Sequence, residues 1–399
     1  MSDKMTPNVR FKGFADAWEQ RKLGKLIKQY RRKSTKNNQF PVLTSSRRGI
    51  FLQKEYYDGH QVASKDNTGY NIVPFGYFTY RHMSDDTTFM FNINNIVPFG
   101  IVSTLYPVFT TNEELDSEFL HYELNYGVEF ARYAVMQKQG GSRTYMYLSK
   151  LEKLSLTMPI EVIEQQKISK LLCRVDSLIA HHQKKLEDLQ QLKKLFLQKI
   201  FDQEWRFQGF TDPWEQRKLG DISRITRGAS PRPIQDPKWF SNNSDIGWLR
   251  ITDVTEQDGR IRHLSQHISK LGQQKTRVLL TPHLLLSIAA TVGKPVINYV
   301  KTGVHDGFLI FNDLQANKEF IYQWLEMFRP KWKRYGQPGS QVNLNSELVR
   351  NQCVMLPTAT EQDTIVKLLT DVDQLIAHHQ KKLDQLHQLK KWLLQNMFV

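Results

Sequence analysis

Two stretches of the chain place an apolar residue every three or four positions. In the first, Leu171, Val175, Leu178, Ile179, Leu186, Leu189, Leu192, Phe196 and Ile200 form one stripe, the pattern of an amphipathic helix. The second repeats it with Leu368, Val372, Leu375, Ile376, Leu383, Leu386, Leu389, Leu393 and Met397. The spacing predicts helices over 164–201 and 361–398, each preceded by a proline, Pro159 and Pro357, where proline is tolerated. At 1.5 Å per residue each would span about 57 Å. A helix that long with one apolar stripe needs a partner, and the other copy is the obvious one. The residues between, 25–157 and 221–356, alternate short β-branched and aromatic runs with Gly, Pro, Asn and Asp. They read as mixed, mainly β, with helices at 116–126 and 318–328.

The helices belong to a larger repeat. Leu-Ile-Ala-His-His-Gln-Lys-Lys-Leu occurs at 178–186 and, unchanged, at 375–383. Phe11-Lys12-Gly13-Phe14 and Trp18-Glu19-Gln20-Arg21-Lys22-Leu23-Gly24 return as Phe207-Gln208-Gly209-Phe210 and Trp214-Glu215-Gln216-Arg217-Lys218-Leu219-Gly220. Gly141-Ser142, Met158-Pro159 and Glu164-Gln165-Gln166 are matched by Gly339-Ser340, Leu356-Pro357 and Glu361-Gln362-Asp363. No convincing similarity joins the two intervening segments.

These patterns predict an α+β fold: two mixed, mainly β domains separated by an antiparallel pair of long helices, a dumbbell with a pseudo-twofold internal repeat. The boundaries expected are 1–24 for an entrance segment, 25–157 for the first head, 158–204 for the first long helix, 205–220 for a second entrance, 221–356 for the second head and 357–399 for the second long helix. In such a pair His182 and His379, in line with the stripe at mid-helix, should face each other and set the register. Their neighbours His181 and His378 point about 100° away, so neither doublet chelates a metal as i,i+4 histidines do.

Charge narrows the partner. Fifty-five Lys+Arg against 40 Asp+Glu leave a net +15, and it is concentrated. Residues 21–54 hold eleven basic side chains and no acid, residues 259–305 hold seven and none, and 328–346 add Arg329, Lys331, Lys333 and Arg334. Blocks like these, interleaved with aromatics, favour a polyanion such as nucleic acid. The apolar runs fall short of a membrane span, and the polar start, Met1-Ser2-Asp3-Lys4, leads into no signal-like segment. Cys173 and Cys353, the two cysteines, sit among apolar neighbours and read as buried thiols of a cytoplasmic protein.

Catalytic motifs are scarce. Ala289-Ala290-Thr291-Val292-Gly293-Lys294-Pro295 approximates a P-loop but has Ile288 and Pro295 where glycine and Ser/Thr belong. Asn71-Ile72-Val73-Pro74-Phe75-Gly76 recurs at 95–100 and reads as a strand-ending turn. Two cysteines cannot build a thiolate zinc site, so neither a catalytic nor a metal site is expected.

Two variable heads, two repeated long helices, the repeated entrances and the Pro…Glu-Gln helix starts together resemble the specificity subunit of a type I restriction–modification enzyme. In the second head, Arg227-Gly228-Ala229-Ser230-Pro231-Arg232, Ile246-Gly247-Trp248-Leu249-Arg250-Ile251 and Asp306-Gly307-Phe308 are similar to that family's target-recognition domains. In the first, Gly141-Ser142-Arg143 fits, but no Trp-Leu-Arg-Ile-like strand is present. The resemblance implies a non-catalytic subunit whose heads each read half of a bipartite, asymmetric duplex DNA target. Its helices would set the unread spacer. It implies assembly with two methyltransferase subunits, which hold S-adenosylmethionine, and two restriction/translocase subunits, which hold ATP and Mg²⁺. It also implies DNA-mimic antirestriction proteins as partners, no cofactor on this chain and no membrane. Arginine and glutamine suit bidentate contacts to guanine and adenine. The DNA-binding candidates in or beside basic loops are Arg47, Arg48, Arg81 and Arg143 in the first head, and Arg227, Arg232, Arg250, Arg277, Lys294 and Gln341 in the second. The competing readings are a stand-alone DNA methyltransferase or nuclease, and a basic coiled-coil adaptor for RNA.

Overall fold

The computed structural model describes residues 6–59, 63–138, 143–335 and 344–399. By contacts the chain divides into two compact units, residues 1–183 with 381–399, and residues 184–380. Each unit therefore takes one head and half of each long helix. Those helices run Val162–Phe201 and Ala359–Asn396. The second stops two residues short of the expected 398, and beyond it Met397 is buried while the Phe398 ring stacks on Phe119 at 5.5 Å.

In the first unit a four-stranded antiparallel sheet runs in the order Ile27–Gln29, Val108–Thr111, Phe78–Thr79, Asn92–Ile93. Three two-stranded ribbons surround it: Leu43–Ser46 with Gly49–Leu52, Asn71–Pro74 with Phe99–Val102, and Met83–Ser84 with Thr144–Tyr145. The recurring Asn-Ile-Val-Pro-Phe-Gly thus has two fates. Its first copy forms the strand that it was expected to end, and Phe99-Gly100 of the second opens that strand's partner. Phe78, Tyr80, Phe91, Phe109 and Phe119 fill the core, the Phe78 and Phe109 rings stacked at 4.7 Å.

The second unit contains a five-stranded mixed sheet, in the order Arg224–Arg227, Phe308–Asn312, Leu284–Ser287, Pro295–Asn298, Arg260–Ile261. A three-stranded sheet joins Gly247–Trp248, Thr302–Val304 and Arg277–Leu279. Alternate residues of the central strands serve different cores, as the two-residue strand period requires. Leu284, Leu286, Ile297, Leu309 and Phe311 face one, while Leu285, Val296, Phe308 and Ile310 face the other.

Each unit has its own copy of a supporting frame, built from repeat counterparts. Glu19–Lys22 pairs with Ser155–Met158, and Glu215–Lys218 with Cys353–Leu356, in the same antiparallel register. Arg10 forks onto the buried carboxylate of Glu164 at 2.6 and 2.7 Å; Arg206 does the same to Glu361 at 3.0 and 2.7 Å. Gln165 accepts from the Asp116 N–H and donates to the Pro159 carbonyl, and Gln362 repeats both bonds with Asn317 and Pro357.

That last pair corrects the sequence reading. The heads do share an element, a helix over Ser117–Tyr126 capped by Asp116 and one over Lys318–Phe328 capped by Asn317. Each cap side chain accepts from orphan amides of the first turn. From these helices Tyr122 donates to Asp176 and Gln323 to Asp373, each at 2.8 Å. Lys390 then pairs with Asp176 at 2.7 Å in the first unit, and Lys193 with Asp373 at 2.6 Å in the second. In each unit, therefore, the N-terminal half of one long helix packs beside the C-terminal half of the other.

Other expectations need adjustment. Leu178, Leu192, Leu375 and Leu389, assigned to the buried stripe, are exposed, as are Leu195 and Trp392; the stripe is wider than the surface that covers it. Cys173 and Cys353 are free and half-buried rather than buried. Among the described residues no helix is long and apolar enough to cross a membrane.

Candidate nucleic-acid interface

In the first head Arg47 and Arg48 form the two-residue turn between Leu43–Ser46 and Gly49–Leu52. Gly49 follows with φ of 124°, which only glycine adopts readily. The Arg47 Nη2 donates to Asp86 Oδ1 at 2.7 Å and to Ser84 Oγ at 3.0 Å. Arg48 lies over the Tyr56 ring, 4.7 Å from its centroid. Arg143, 96 positions later, donates through Nε to the adjacent Asp85 at 3.1 Å. The 83–88 turn thus gathers Arg47 and Arg143, which the sequence keeps apart. Arg81 is exposed and has no ion pair or hydrogen bond among the described residues.

Beside the Arg47–Arg48 turn is a hollow of about 350 Å³, whose walls include Asn92, Asn95, Glu118 and His121. Burial, and then Asp116, raises the Glu118 carboxyl above its ordinary value, and burial lowers His121.

In the second head Asp306 plays the gathering part. Its carboxylate accepts from Ser230 Oγ at 2.6 Å and Arg232 Nη2 at 2.8 Å, and its carbonyl accepts from Arg227 Nε at 2.6 Å. Arg250 is more tightly held. It forks onto the buried Asp253 at 3.1 and 2.9 Å and donates to Ser265 Oγ at 2.7 Å. Arg232, Arg250, Trp248 and His305 share a hollow of about 300 Å³, and burial lowers the His305 pKa. Arg277 opens its strand, exposed and with no side-chain ion pair or hydrogen bond among the described residues.

Two candidates fare differently. Lys294 is only 12% exposed and lies between Asp258 at 2.5 Å and Glu326 at 2.7 Å. That position braces the Lys318–Phe328 helix against the sheet. Gln341, with the Gly141-Ser142 and Gly339-Ser340 matches, lies outside the described residues. His182 belongs to the first unit and His379 to the second. Each is half-buried and meets its exposed neighbour, His181 or His378, edge-on at 5.6 Å.

Residue reasoning missed an aromatic cluster beside Arg143. His82 stacks on Tyr147 at 4.9 Å, and Tyr147 on Tyr145 at 5.9 Å, both tyrosines exposed. The two-residue spacing of Tyr145 and Tyr147 was the available signal, since it puts both on one side of an extended strand. Among the described residues no group of three or more His, Cys, Asp or Glu could hold a metal.

The chain is thus of a two-headed class: a duplicated frame carrying unlike heads, each with arginines at exposed turns. Residues 211–388 match the family model described as the type I restriction modification DNA specificity domain. Two relatives come from Methanocaldococcus jannaschii. The type I restriction enzyme MjaVIII specificity subunit is 22% identical over 74% of this chain and 72% of its own. The putative type I restriction enzyme MjaX specificity subunit is 23% identical over 70% and 67%. The crystal structure of a type I restriction–modification system S subunit from M. genitalium aligns over 99% of both chains, with a TM-score of 0.64 at 14% identity. A chain from a structure concerned with complex assembly and conformational transition of the type I R-M system aligns over 97% of this chain and 98% of its own. Its TM-score is 0.51 at 16% identity. At such identities the structural likeness is one of fold. The resemblance to type I specificity subunits read from the sequence is borne out.

Proposed function

We propose that the chain is the DNA-binding specificity subunit of a type I restriction–modification complex. It recognises a bipartite, asymmetric duplex target, one half by each head. The observation that carries this reading is the gathering of arginines at exposed turns: Arg47 with the sequence-distant Arg143 in one head, Arg227 and Arg232 around the sequence-distant Asp306 in the other. Heads on a common frame but with unlike sheets suit two unlike half-sites. The long helices, packed antiparallel in a dumbbell arrangement, would fix the spacer, since two heads on one DNA face must lie about a helical turn apart.

The chain itself catalyses nothing and binds no cofactor. It directs two methyltransferase subunits, which use S-adenosylmethionine, and two restriction subunits, which use ATP and Mg²⁺, in the cytoplasm. Exposed apolar residues repeated along the helices, Leu178 and Leu375, Leu192 and Leu389, Leu195 and Trp392, suit the docking of such subunits. The test is binding of the purified full chain to duplex DNA across a salt series. The expected result is an affinity whose logarithm falls linearly with log salt, by about 0.9 for each phosphate neutralised. Salt-independent binding, preference for RNA over duplex DNA, or methylation by the chain alone would refute the reading.

A further inference from the structure

We infer that Asp86 in the first head and Asp306 in the second are positioning residues for DNA readout, each orienting an arginine toward a base edge. The inference rests on the proposed function and adds to it the groups that set specificity. Asp86 is the centre of its turn. Its Oδ1 accepts from Ser84 Oγ, from the Thr88 N–H and from Arg47 Nη2, each at 2.7 Å. The carboxylate is thereby fixed before it meets the arginine, and it occupies only Nη2. The Nε and Nη1 of Arg47 make no hydrogen bond among the described residues. Asp306 repeats the device in unrelated surroundings. Ser230 fixes one carboxylate oxygen, and the other holds Arg232 by Nη2 alone.

Stability does not account for these pairs. Arg47 and Asp86 are 56% and 52% exposed, and Arg232 and Asp306 74% and 36%; ion pairs so open to water add little to folding. What they do restrict is the rotamer freedom of a long side chain, a loss that binding would otherwise bear. A carboxylate at that place also repels phosphate, so the arginine it holds is biased toward base edges rather than the DNA backbone. Hydrogen bonds from Ser84, then Thr88 and Arg47, hold Asp86 ionised well below the usual carboxylate range. Ser230 and Arg232 lower Asp306 likewise, against the opposing effect of burial.

The experiment selects preferred duplexes from a randomised pool with the full chain and with Asp86→Asn, Asp306→Asn, Arg47→Ala, Arg232→Ala and the two double variants. Each Asn variant should lose roughly tenfold in discrimination at one position of one half-site, the size of a weakened base contact. Its melting temperature should be unchanged and its affinity for random DNA undiminished. Asp86→Asn combined with Arg47→Ala should discriminate no worse than Arg47→Ala alone. Discrimination lost in Arg47→Ala and Arg232→Ala but kept in both Asn variants overturns the inference and leaves the proposed function standing. Uniform weakening on all sequences also overturns it, because the arginines would then be phosphate contacts. A wild-type chain that discriminates among no duplexes refutes the functional reading, and the inference with it.

Discussion

The first head folds around a small four-stranded sheet with ribbons attached, whereas the second stacks apolar side chains on both faces of a five-stranded one. Strands Leu284–Ser287 and Pro295–Asn298 are buried at every residue, as expected of a sheet covered on both sides. Among the described residues, no strand of the first head longer than two residues is buried throughout. Yet the two rest on identical supports: the Glu-Gln-Arg-Lys ribbon, the buried glutamate forked by an arginine, the capped helix and the Asp–Lys pair between long helices. The parts that repeat hold a head in place. The parts that differ are those it presents to a ligand.

The largest effects should come from the unlike cores. Phe109 and Phe311 are each about fully buried, at 0% and 1% exposure. Truncation to alanine should cost about 3–5 kcal/mol, the usual range for a core phenylalanine. Hydrogen exchange should show the loss first in the first unit for Phe109→Ala and in the second for Phe311→Ala. Equal loss in both units from either variant would show that the two cores are not separately stabilised.

Acid and base should separate the units next. Glu123 is wholly buried, and burial, with Glu129 nearby, raises its pKa well above the ordinary carboxyl value. Its folded pKa exceeds the unfolded one, so it favours folding below about pH 4.3 and loses that contribution as pH climbs toward the folded value. Glu123→Gln should therefore stabilise the first unit at neutral pH. Asp373 goes the other way. Burial pushes its pKa up, but Lys193, Gln323 and Arg260 outweigh burial and bring it below the ordinary value. Its stabilisation is complete above about pH 3.9 and is lost as pH falls through the folded value. Asp373→Asn should lower the second unit's stability at neutral pH and flatten its acid-side decline. Melting curves that keep the wild-type pH dependence in both variants would contradict these assignments.

How much of this could be read beforehand depended on the kind of signal. The long helices and the frame announced themselves because a stripe of period 3.6 and a constant repeat offset are both visible along the sequence without knowledge of the fold. The equivalence of the two capped helices was missed, although both helices were expected and Glu118-Phe119-Leu120 and Glu319-Phe320-Ile321 nearly match. Its offset is 201, and the repeat elsewhere keeps within 196–198, so insertions in the heads had shifted it. Arg47 and Arg143 could not be paired from sequence, because the Ser84–Thr88 turn that unites them carries no periodic signature. Lys294 misled for the opposite reason. Its acid-free neighbourhood in sequence hid Asp258 and Glu326, which reach it only in space.

The smallest effect on stability, and the most useful for the comparison, belongs to Arg81 and Arg277. They stand on different heads, both exposed, and neither side chain makes an ion pair or hydrogen bond among the described residues. Their charge is thus available to phosphate, whereas that of Arg47 or Arg232 is partly matched by a carboxylate. Alanine at either position should leave the melting curve unchanged, because surface substitutions away from caps and cores rarely matter. Each should weaken duplex binding evenly across sequences and reduce the salt slope by about one phosphate. A loss confined to one base position would instead place that arginine among the readers. The distinction between free and carboxylate-held arginines would then fail for that head, whatever the other one does.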